Sequence, residues 1–265
     1  MQMEKRDITE DTTSDPPADP LSRSTERLAQ TPRAKRNVDH LSRPGALPPA
    51  PGRLRAALFR PVWFPIVLLG ILTVLTEQVL TNGPLLAVDR WTRHTVQGWV
   101  AEDPWSWTNS LAEYWTDLGL AVYSGTVLAL TAVAATARLR SWRPLAAAFL
   151  AALALFGTVI PGKILIGRPG PEGAPVAAGD WGWFPSGHTA TASICLGTAA
   201  LILCRTWPGL RRTVYPLTAF LCTGVGISLI WRDYHWLWDV VASGCLTGIV
   251  LWILSRWVVD HPRSR

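Results

Sequence analysis

The sequence has little cysteine, and the cysteines it has are not paired. The 265 residues include Cys195, Cys204, Cys222 and Cys245, all inside apolar runs and without the spacing of a disulfide framework or a metal site. We interpret them as small buried apolar side chains. No cleavable signal peptide is expected, since the first apolar run starts only after about 60 residues. The sequence also lacks a detectable internal repeat.

The chain is polar at its start and strongly apolar after it. Residues 1–58 hold eight of the 21 prolines, and nine Lys or Arg residues against two acidic ones lie between Arg23 and Arg60. Such a segment cannot bury enough apolar surface to fold alone. Residues 1–58 are therefore predicted to be a disordered, basic, proline-rich cytoplasmic tail, either solvated or held near anionic lipid headgroups.

Beyond this tail, apolar runs of about 20 residues recur, which is the length a helix needs to cross a hydrocarbon layer of about 30 Å. We predict an all-α polytopic membrane protein, a bundle of six transmembrane helices within residues 59–257. The predicted spans are 61–80, 117–137, 144–166, 188–204, 213–231 and 236–256.

Basic residues in the short loops indicate the orientation in the membrane. They cluster between spans two and three, between spans four and five, and after span six, at Arg138, Arg140, Arg143, Arg205, Arg211, Arg212, Arg256, Arg263 and Arg265. Because basic loops favour the cytoplasm, both termini, including a short tail at 258–265, are predicted to be cytoplasmic. Segments 81–116, 167–187 and 232–235 then lie outside the plasma membrane, the first as a helical or irregular segment on its outer surface.

Two positive residues close the third span. Lys163 and Arg168 lie five positions apart in the run KILIGRP, and two cations at one helix end would suit an anion. Lys163 could equally extend to the membrane interface without binding anything.

A second polar group opens the fourth span. The run Pro185-Ser186-Gly187-His188 would present free backbone N–H groups and the positive end of a helix dipole, which together bind anions. His188 could donate a proton to such an anion. The alternative is an ordinary serine N-cap beside an interfacial histidine.

A third polar group opens the sixth span. His235 and Asp239 lie four positions apart and share a helix face, with Arg232 just before them. Asp239 can accept a hydrogen bond from one imidazole nitrogen and leave the other free to attack; a purely structural hydrogen bond is the alternative. His188, His235 and Asp239 could in principle bind a divalent ion, but their spacing fits no metal motif and the nearby cations oppose it, so no metal is predicted.

The predicted topology places all three groups at helix ends on one side of the membrane, where positioning and charge could support phosphoryl transfer without a metal. In this order they resemble the type 2 phosphatidic acid phosphatase superfamily, which includes bacterial membrane lipid phosphatases and shares its pocket with vanadium haloperoxidases. The family pattern is Lys, six residues, Arg-Pro; then Pro-Ser-Gly-His; then Ser-Arg, five residues, His, three residues, Asp. The resemblance covers about residues 60–256.

The resemblance implies a role for each site residue. His235 would form a phosphohistidine intermediate, Asp239 would orient and charge-stabilise it, and His188 would protonate the leaving alcohol. The phosphate oxygens would be held by Lys163, Ser186 and Gly187.

Two positions depart from the family pattern. Gly170 stands where the family has Arg after Lys and six residues, and Leu229 stands where it has the Arg of Ser-Arg. Arg168 and Arg232 lie close to these positions, and we expect them to bind phosphate in place of the missing arginines.

The sequence thus predicts an enzyme: an integral membrane lipid phosphatase that hydrolyses a phosphomonoester or diphosphate lipid at the outer face, without a cofactor. A polyprenyl phosphate or diphosphate, or phosphatidate, would be a suitable substrate. The alternatives are a phosphotransferase to a lipid or sugar acceptor, and a non-catalytic protein that binds or transports lipid phosphates. Lipid phosphate and membrane lipids are the expected partners, and nucleic acid is not.

Overall fold

The computed structural model describes residues 62–259, apart from residues 174 and 178. The predicted tail at 1–58 and nearly all of the predicted tail at 258–265 lie outside the described residues. The described part contains these α-helices: α1 (Trp63–Thr81), α2 (Leu86–Glu102), α3 (Trp107–Asp117), α4 (Ala121–Leu139), α5 (Arg143–Ile166), α6 (Gly187–Thr206), α7 (Arg211–Trp231) and α8 (Leu237–Val259). A short 3-10 helix, Pro208–Leu210, precedes α7.

Six helical segments are long and apolar enough to cross a membrane, which confirms the predicted all-α, six-span fold: Trp63–Thr81, Ala121–Leu139, Arg143–Ile166, Gly187–Thr206, Pro208–Trp231 and Leu237–Arg256. The chain is a multi-pass membrane protein. The predicted bounds differ most in two places. Span two starts at Ala121 because Asp117 ends α3 and a turn intervenes, and span five starts earlier than predicted because the 3-10 helix leads into α7.

Helix α6 lies at the centre of the bundle. It packs against α4, α5, α7 and α8, and 72% of its span is buried, against 39% or less for each other span. Small side chains let neighbouring backbones approach closely, and the buried small residues of α6 include Ala190, Ala192, Gly197, Ala199 and Ala200. At Gly197 an added Cβ would lie 2.5 Å from Cδ1 of Leu251 on α8, so a larger residue there would require the Leu251 side chain to shift.

The segment between α1 and α4, predicted to be helical or irregular, forms α2 and α3. Helix α2 packs against α7 and α8, and α3 packs against α7. Several tryptophans of this segment are exposed, whereas Asp89 in the first turn of α2 is only 1% exposed. Helix α2 therefore brings a buried carboxylate to the end of the bundle at which α8 begins.

The chain reverses tightly between α5 and α6. Gly167 ends α5 in a left-handed conformation, with φ of 57°, as glycine readily does. The return stretch then pairs with the end of α5, since Gly182 N donates to Lys163 O at 3.2 Å and Trp183 N donates to Arg168 O at 2.8 Å. An added Cβ on Gly182 would lie 2.7 Å from Arg168 N. This pairing fixes Lys163 and Arg168 relative to the start of α6.

Candidate active site

A cavity of about 790 Å³ opens at the end of the bundle where α5 and α7 end and α4 and α6 begin. Its lining includes Lys163 from the first motif, Gly187 and His188 from the second, and His235 from the third. The fold therefore brings residues of all three motifs to one cavity. Within the described part of the chain, no three His, Cys, Asp or Glu side chains are grouped so as to hold a metal ion.

His235 lies against Asp239 at the wall of this cavity. The Nδ1 atom of His235 is 3.2 Å from Oδ2 of Asp239, and that oxygen also accepts from the backbone N–H of Trp236 at 3.3 Å. The two side chains are 8% and 0% exposed. An Nδ1–H that donates to Asp239 leaves the lone pair on Nε2 for a group bound in the cavity.

The surroundings of His235 favour the neutral ring. Burial lowers the pKa of His235 below its ordinary value, against the hydrogen bond and charge of Asp239, which raise it. The positive charges of Lys163 and Arg168 add to the lowering. A neutral imidazole keeps the Nε2 lone pair that nucleophilic attack requires.

Arg168 bridges two buried carboxylates and is not among the described residues that line the cavity. Its Nη1 is 2.5 Å from Oδ1 of Asp239, and its Nη2 pairs with Oδ2 of Asp89. The guanidinium is 7% exposed. Oδ1 of Asp89 also accepts from the backbone N–H of Trp238, at 2.9 Å. The structure thus places Arg168, expected to hold phosphate, between a carboxylate of α2 and one of α8.

Trp236 covers this ion pair network. Its ring centroid lies 5.2 Å from Cζ of Arg168 and 5.9 Å from Cζ of Arg93, and its Nε1–H donates to the carbonyl of Pro169 at 3.0 Å. Arg93 in turn donates to the carboxylate of Asp233 through hydrogen bonds of 2.8, 3.0 and 2.6 Å. Trp236 thus shields Arg168, and α2 is tied to the loop that precedes α8.

Arg232 is also held by a carboxylate. Its Nε lies 2.7 Å from Oε2 of Glu113 on α3. The contact is an ion pair without the alignment of a hydrogen bond. Its Cζ lies 5.7 Å from the ring centroid of Tyr234, whose hydroxyl donates to Glu113 at 3.2 Å. Glu113 and Tyr234 line the cavity, and Arg232 is absent from the described lining.

Lys163 is the one lysine or arginine among the described residues that line the cavity. Its Nζ donates to Gly182 O at 2.8 Å, and its Cε would be 3.4 Å from a Cβ added to Gly187. It therefore lies beside the start of α6, where the first backbone N–H groups have no acceptor within the helix. A lysine beside a helix N-terminus is a favourable site for an anion.

Ser186 caps α6, which was the alternative to phosphate binding. Its hydroxyl accepts from Thr189 N at 3.3 Å, and the residue is fully buried. Its backbone N–H donates to Asp239 O at 3.2 Å, and its carbonyl accepts from Ser243 Oγ at 2.8 Å. Ser186 therefore fixes the start of α6 against α8.

His188 lines the cavity from the first turn of α6. The turn between α3 and α4 passes directly against it, because a Cβ added to Gly119 would lie 2.5 Å from Cβ of His188. The glycine gives this histidine room beside the cavity.

The two positions that depart from the family pattern are filled by other groups. A Cβ on Gly170 would lie 2.8 Å from Cε2 of Trp183, so the indole occupies the space of a side chain there. Leu229 is 1% exposed and packs with Ala192 and Val225. Neither position therefore supplies a positive charge, and Lys163 is the one lysine or arginine among the described residues that line the cavity.

Sequence reasoning missed Asp89 as a site residue. It was one of several acidic residues in the segment 81–116, and no spacing relates it to Arg168, its partner 79 positions away. The one sequence feature that points to Asp89 is its position as a lone carboxylate near the start of a helix that returns to the bundle. That feature is too common to identify a site residue.

The fold and the three motifs can be compared with those of known proteins. Residues 143–263 match the model of the PAP2 superfamily. The resemblance inferred from the three motifs is confirmed.

Two relatives extend this finding. The chain is 32% identical over 124 residues to a protein named lipid A 1-phosphatase from Porphyromonas gingivalis, a match that covers 46% of this chain and 26% of that protein. The chain thus spans about a quarter of the length of this curated relative. A crystal structure of a transmembrane PAP2 type phosphatidylglycerolphosphate phosphatase from Bacillus subtilis aligns with a TM-score of 0.66 and 20% identity, covering 77% of this chain and 100% of that one. This likeness confirms the fold.

Proposed function

We propose that this protein is an integral membrane phosphatase that hydrolyses a lipid phosphate or diphosphate, with His235 as the nucleophile. The observation that carries the proposal is the buried His235–Asp239 pair at the wall of a cavity that Lys163 and the start of α6 also line. The PAP2 superfamily match and the name of the relative from Porphyromonas gingivalis support the same class of reaction.

The first step transfers the phosphoryl group to the enzyme. The lone pair on Nε2 of His235 attacks phosphorus, and the bond from phosphorus to the leaving oxygen breaks, with its electron pair going to that oxygen. Protonated His188 donates a proton to the leaving oxygen. Asp239 accepts the Nδ1–H hydrogen bond and stabilises the positive charge that develops on the His235 ring.

The second step releases phosphate. Neutral His188 takes a proton from a water molecule, whose oxygen attacks phosphorus as the N–P bond breaks. The electron pair of that bond returns to Nε2 of His235. Inorganic phosphate leaves, and both histidines are restored to their starting protonation states.

We propose that the phosphate oxygens are held by Lys163 and by the backbone N–H groups of Gly187 and His188. Their position at the positive end of α6 suits the charge that spreads over the oxygens during transfer. Ser186 contributes through the cap that fixes this helix end. Arg232 contributes through the ion pair that fixes Glu113 on the cavity wall.

We further propose that the cavity opens on the outer side of the plasma membrane, with both termini in the cytoplasm. The arginines of the α4–α5 and α6–α7 connections support this orientation, because they lie at the helix ends opposite the cavity and basic loops favour the cytoplasm. An outward site would act on lipids whose phosphate faces away from the cytoplasm, such as a polyprenyl phosphate or diphosphate carrier.

A metal-free lipid panel tests the proposed function. The purified full-length chain in detergent with a chelator should release phosphate from at least one of phosphatidate, phosphatidylglycerol phosphate, polyprenyl phosphate and polyprenyl diphosphate. Vanadate should inhibit, since it mimics the five-coordinate phosphorus of the transition state. The control is His235→Ala; equal phosphate release by both proteins across the panel would contradict the proposal.

A further inference from the structure

We infer that Asp89 is a positioning residue of this active site: it shares Arg168 with Asp239, so that Asp239 keeps the negative charge with which it acts on His235. The inference rests on the proposed role of His235 as nucleophile. Asp89 lies on α2, outside the region 143–263 that matches the family.

The contacts form one continuous chain of charged groups. His235 contacts Asp239 through Oδ2, Arg168 contacts the other oxygen of Asp239, and Asp89 takes the second nitrogen of Arg168. Each of the four side chains is at most 8% exposed. Charges in such surroundings act on one another much more strongly than they would in water.

The charge balance gives Asp89 its function. Arg168 alone with Asp239 would neutralise the carboxylate that must stabilise a positive ring. When both carboxylates are ionised, they and the guanidinium sum to one negative charge; burial raises the pKa of Asp89, and its ion pair with Arg168 opposes that rise. His235 gains one positive charge when its Nε2 bonds to phosphorus. The four side chains together, His235, Asp239, Arg168 and Asp89, are then neutral in the phosphohistidine intermediate. Because an uncompensated buried charge is costly, this charge balance stabilises the phosphohistidine intermediate.

Asp89 also fixes the helix that carries Asp239. Its Oδ1 accepts from the backbone N–H of Trp238, in the first turn of α8. One carboxylate thus orients both the guanidinium and the helix start, and its removal would affect the charge and the position of the catalytic pair. The experiment must separate these two effects.

The pH at which His235 loses its proton reports the charge effect. The charged and titratable groups that face this ring or the cavity beside it are Asp239 on α8, Lys163 on α5, Arg168 after α5, His188 on α6, and the cavity carboxylates Glu113, Asp117, Glu172 and Asp233. These groups are chemically the same when Asp89 is replaced, and a double variant that restores the net charge separates the lost charge from a change of position.

Three variants of the full-length chain in detergent test this. Asp89→Asn removes the charge and keeps the shape. The double variant Asp89→Asn with Arg168→Gln removes both charges and restores the net charge beside His235. Glu102→Gln, an exposed carboxylate on the same helix, is the matched control. Two readouts are compared as functions of pH: kcat/KM on lipid phosphate, and the carbethoxylation of His235 by diethyl pyrocarbonate, quantified by mass spectrometry.

In Asp89→Asn both midpoints should move to lower pH by about one unit, and kcat should fall about tenfold or more. The midpoints of the double variant should return towards the wild-type value, and Glu102→Gln should match the wild type. A midpoint that does not move in Asp89→Asn, or does not return in the double variant, overturns the inference. If the wild type hydrolyses no lipid phosphate but the labelling midpoints still shift and return, the proposed function fails while the charge effect of Asp89 stands.

Discussion

Replacing His235 by alanine is expected to lower kcat for lipid phosphate hydrolysis by about 10⁴-fold or more, because no second nucleophile replaces a missing one. The imidazole lies on the cavity wall with Nδ1 held by Asp239, and alanine removes the attacking atom and leaves the cavity larger. Substrate binding should change little, since Lys163 and the start of α6 remain in place. The measurement is kcat and KM with the best lipid of the metal-free panel.

His94→Ala is the matched control for this variant. His94 is an exposed histidine on α2, so its loss should leave kcat within about twofold of wild type, as expected for a surface substitution. A His235→Ala protein that keeps more than about a tenth of wild-type kcat would show that another group attacks phosphorus.

Asp239→Asn is expected to have the second largest effect, with kcat reduced about 10²–10⁴-fold and KM little changed. An asparagine amide is neutral, so it cannot stabilise the positive ring that forms during transfer. Its NH₂ group can also turn towards His235 and select the wrong tautomer. It leaves Arg168 with Asp89 as its one remaining buried carboxylate partner within the described structure.

The same variant should be less stable by about 2 kcal/mol, because Asp239 loses its charged hydrogen bond to Arg168 while Asp89 still compensates the guanidinium. Thermal unfolding in detergent would measure this, and Asp103→Asn, an exposed aspartate after α2, is the control. Folding is checked separately by vanadate binding to the cavity. A folded Asp239→Asn protein with wild-type kcat would contradict the role of Asp239.

The fold could be predicted from the sequence because the membrane imposes a simple constraint. A span needs a long apolar run, and each of the six runs is separated from the next by polar or basic residues. The ends of α5 and α7 fell where the sequence predicted, at Ile166 and Trp231. The start of α4 was placed too early because hydropathy does not detect the short turn at Gly119 that makes room for His188.

The meeting of the motifs could also be anticipated, because alternating spans return successive helix ends to one side of the bundle. The contact between His235 and Asp239 was expected from their spacing, although His235 lies two residues before α8 and does not share its helix face. The position of Lys163 beside the start of α6 could be predicted as well, because Lys163 lies near the end of α5 on the same side of the bundle.

The partners of the arginines could not be predicted, since they depend on tertiary packing. Arg168 meets Asp239 and Asp89 across 71 and 79 positions, and Arg232 meets Glu113 on α3. Sequence proximity to the family positions suggested phosphate binding for both arginines. In the structure each arginine contacts a carboxylate, and Trp183 occupies the space beside Gly170. Phosphate binding by Arg168 and Arg232 stays a prediction.

If His235 is the nucleophile, the phosphoryl group is bonded to its Nε2 during each turnover, and this phosphohistidine can be trapped. The protein is mixed with its best lipid substrate labelled with ³²P at the phosphoryl group that is transferred, then quenched within milliseconds at alkaline pH, where phosphohistidine survives. The digest is mapped for label. The expected result is acid-labile label on the peptide that contains His235, and none in His235→Ala. A wild-type burst of released lipid alcohol with no label on His235, or with label on another residue, would contradict it.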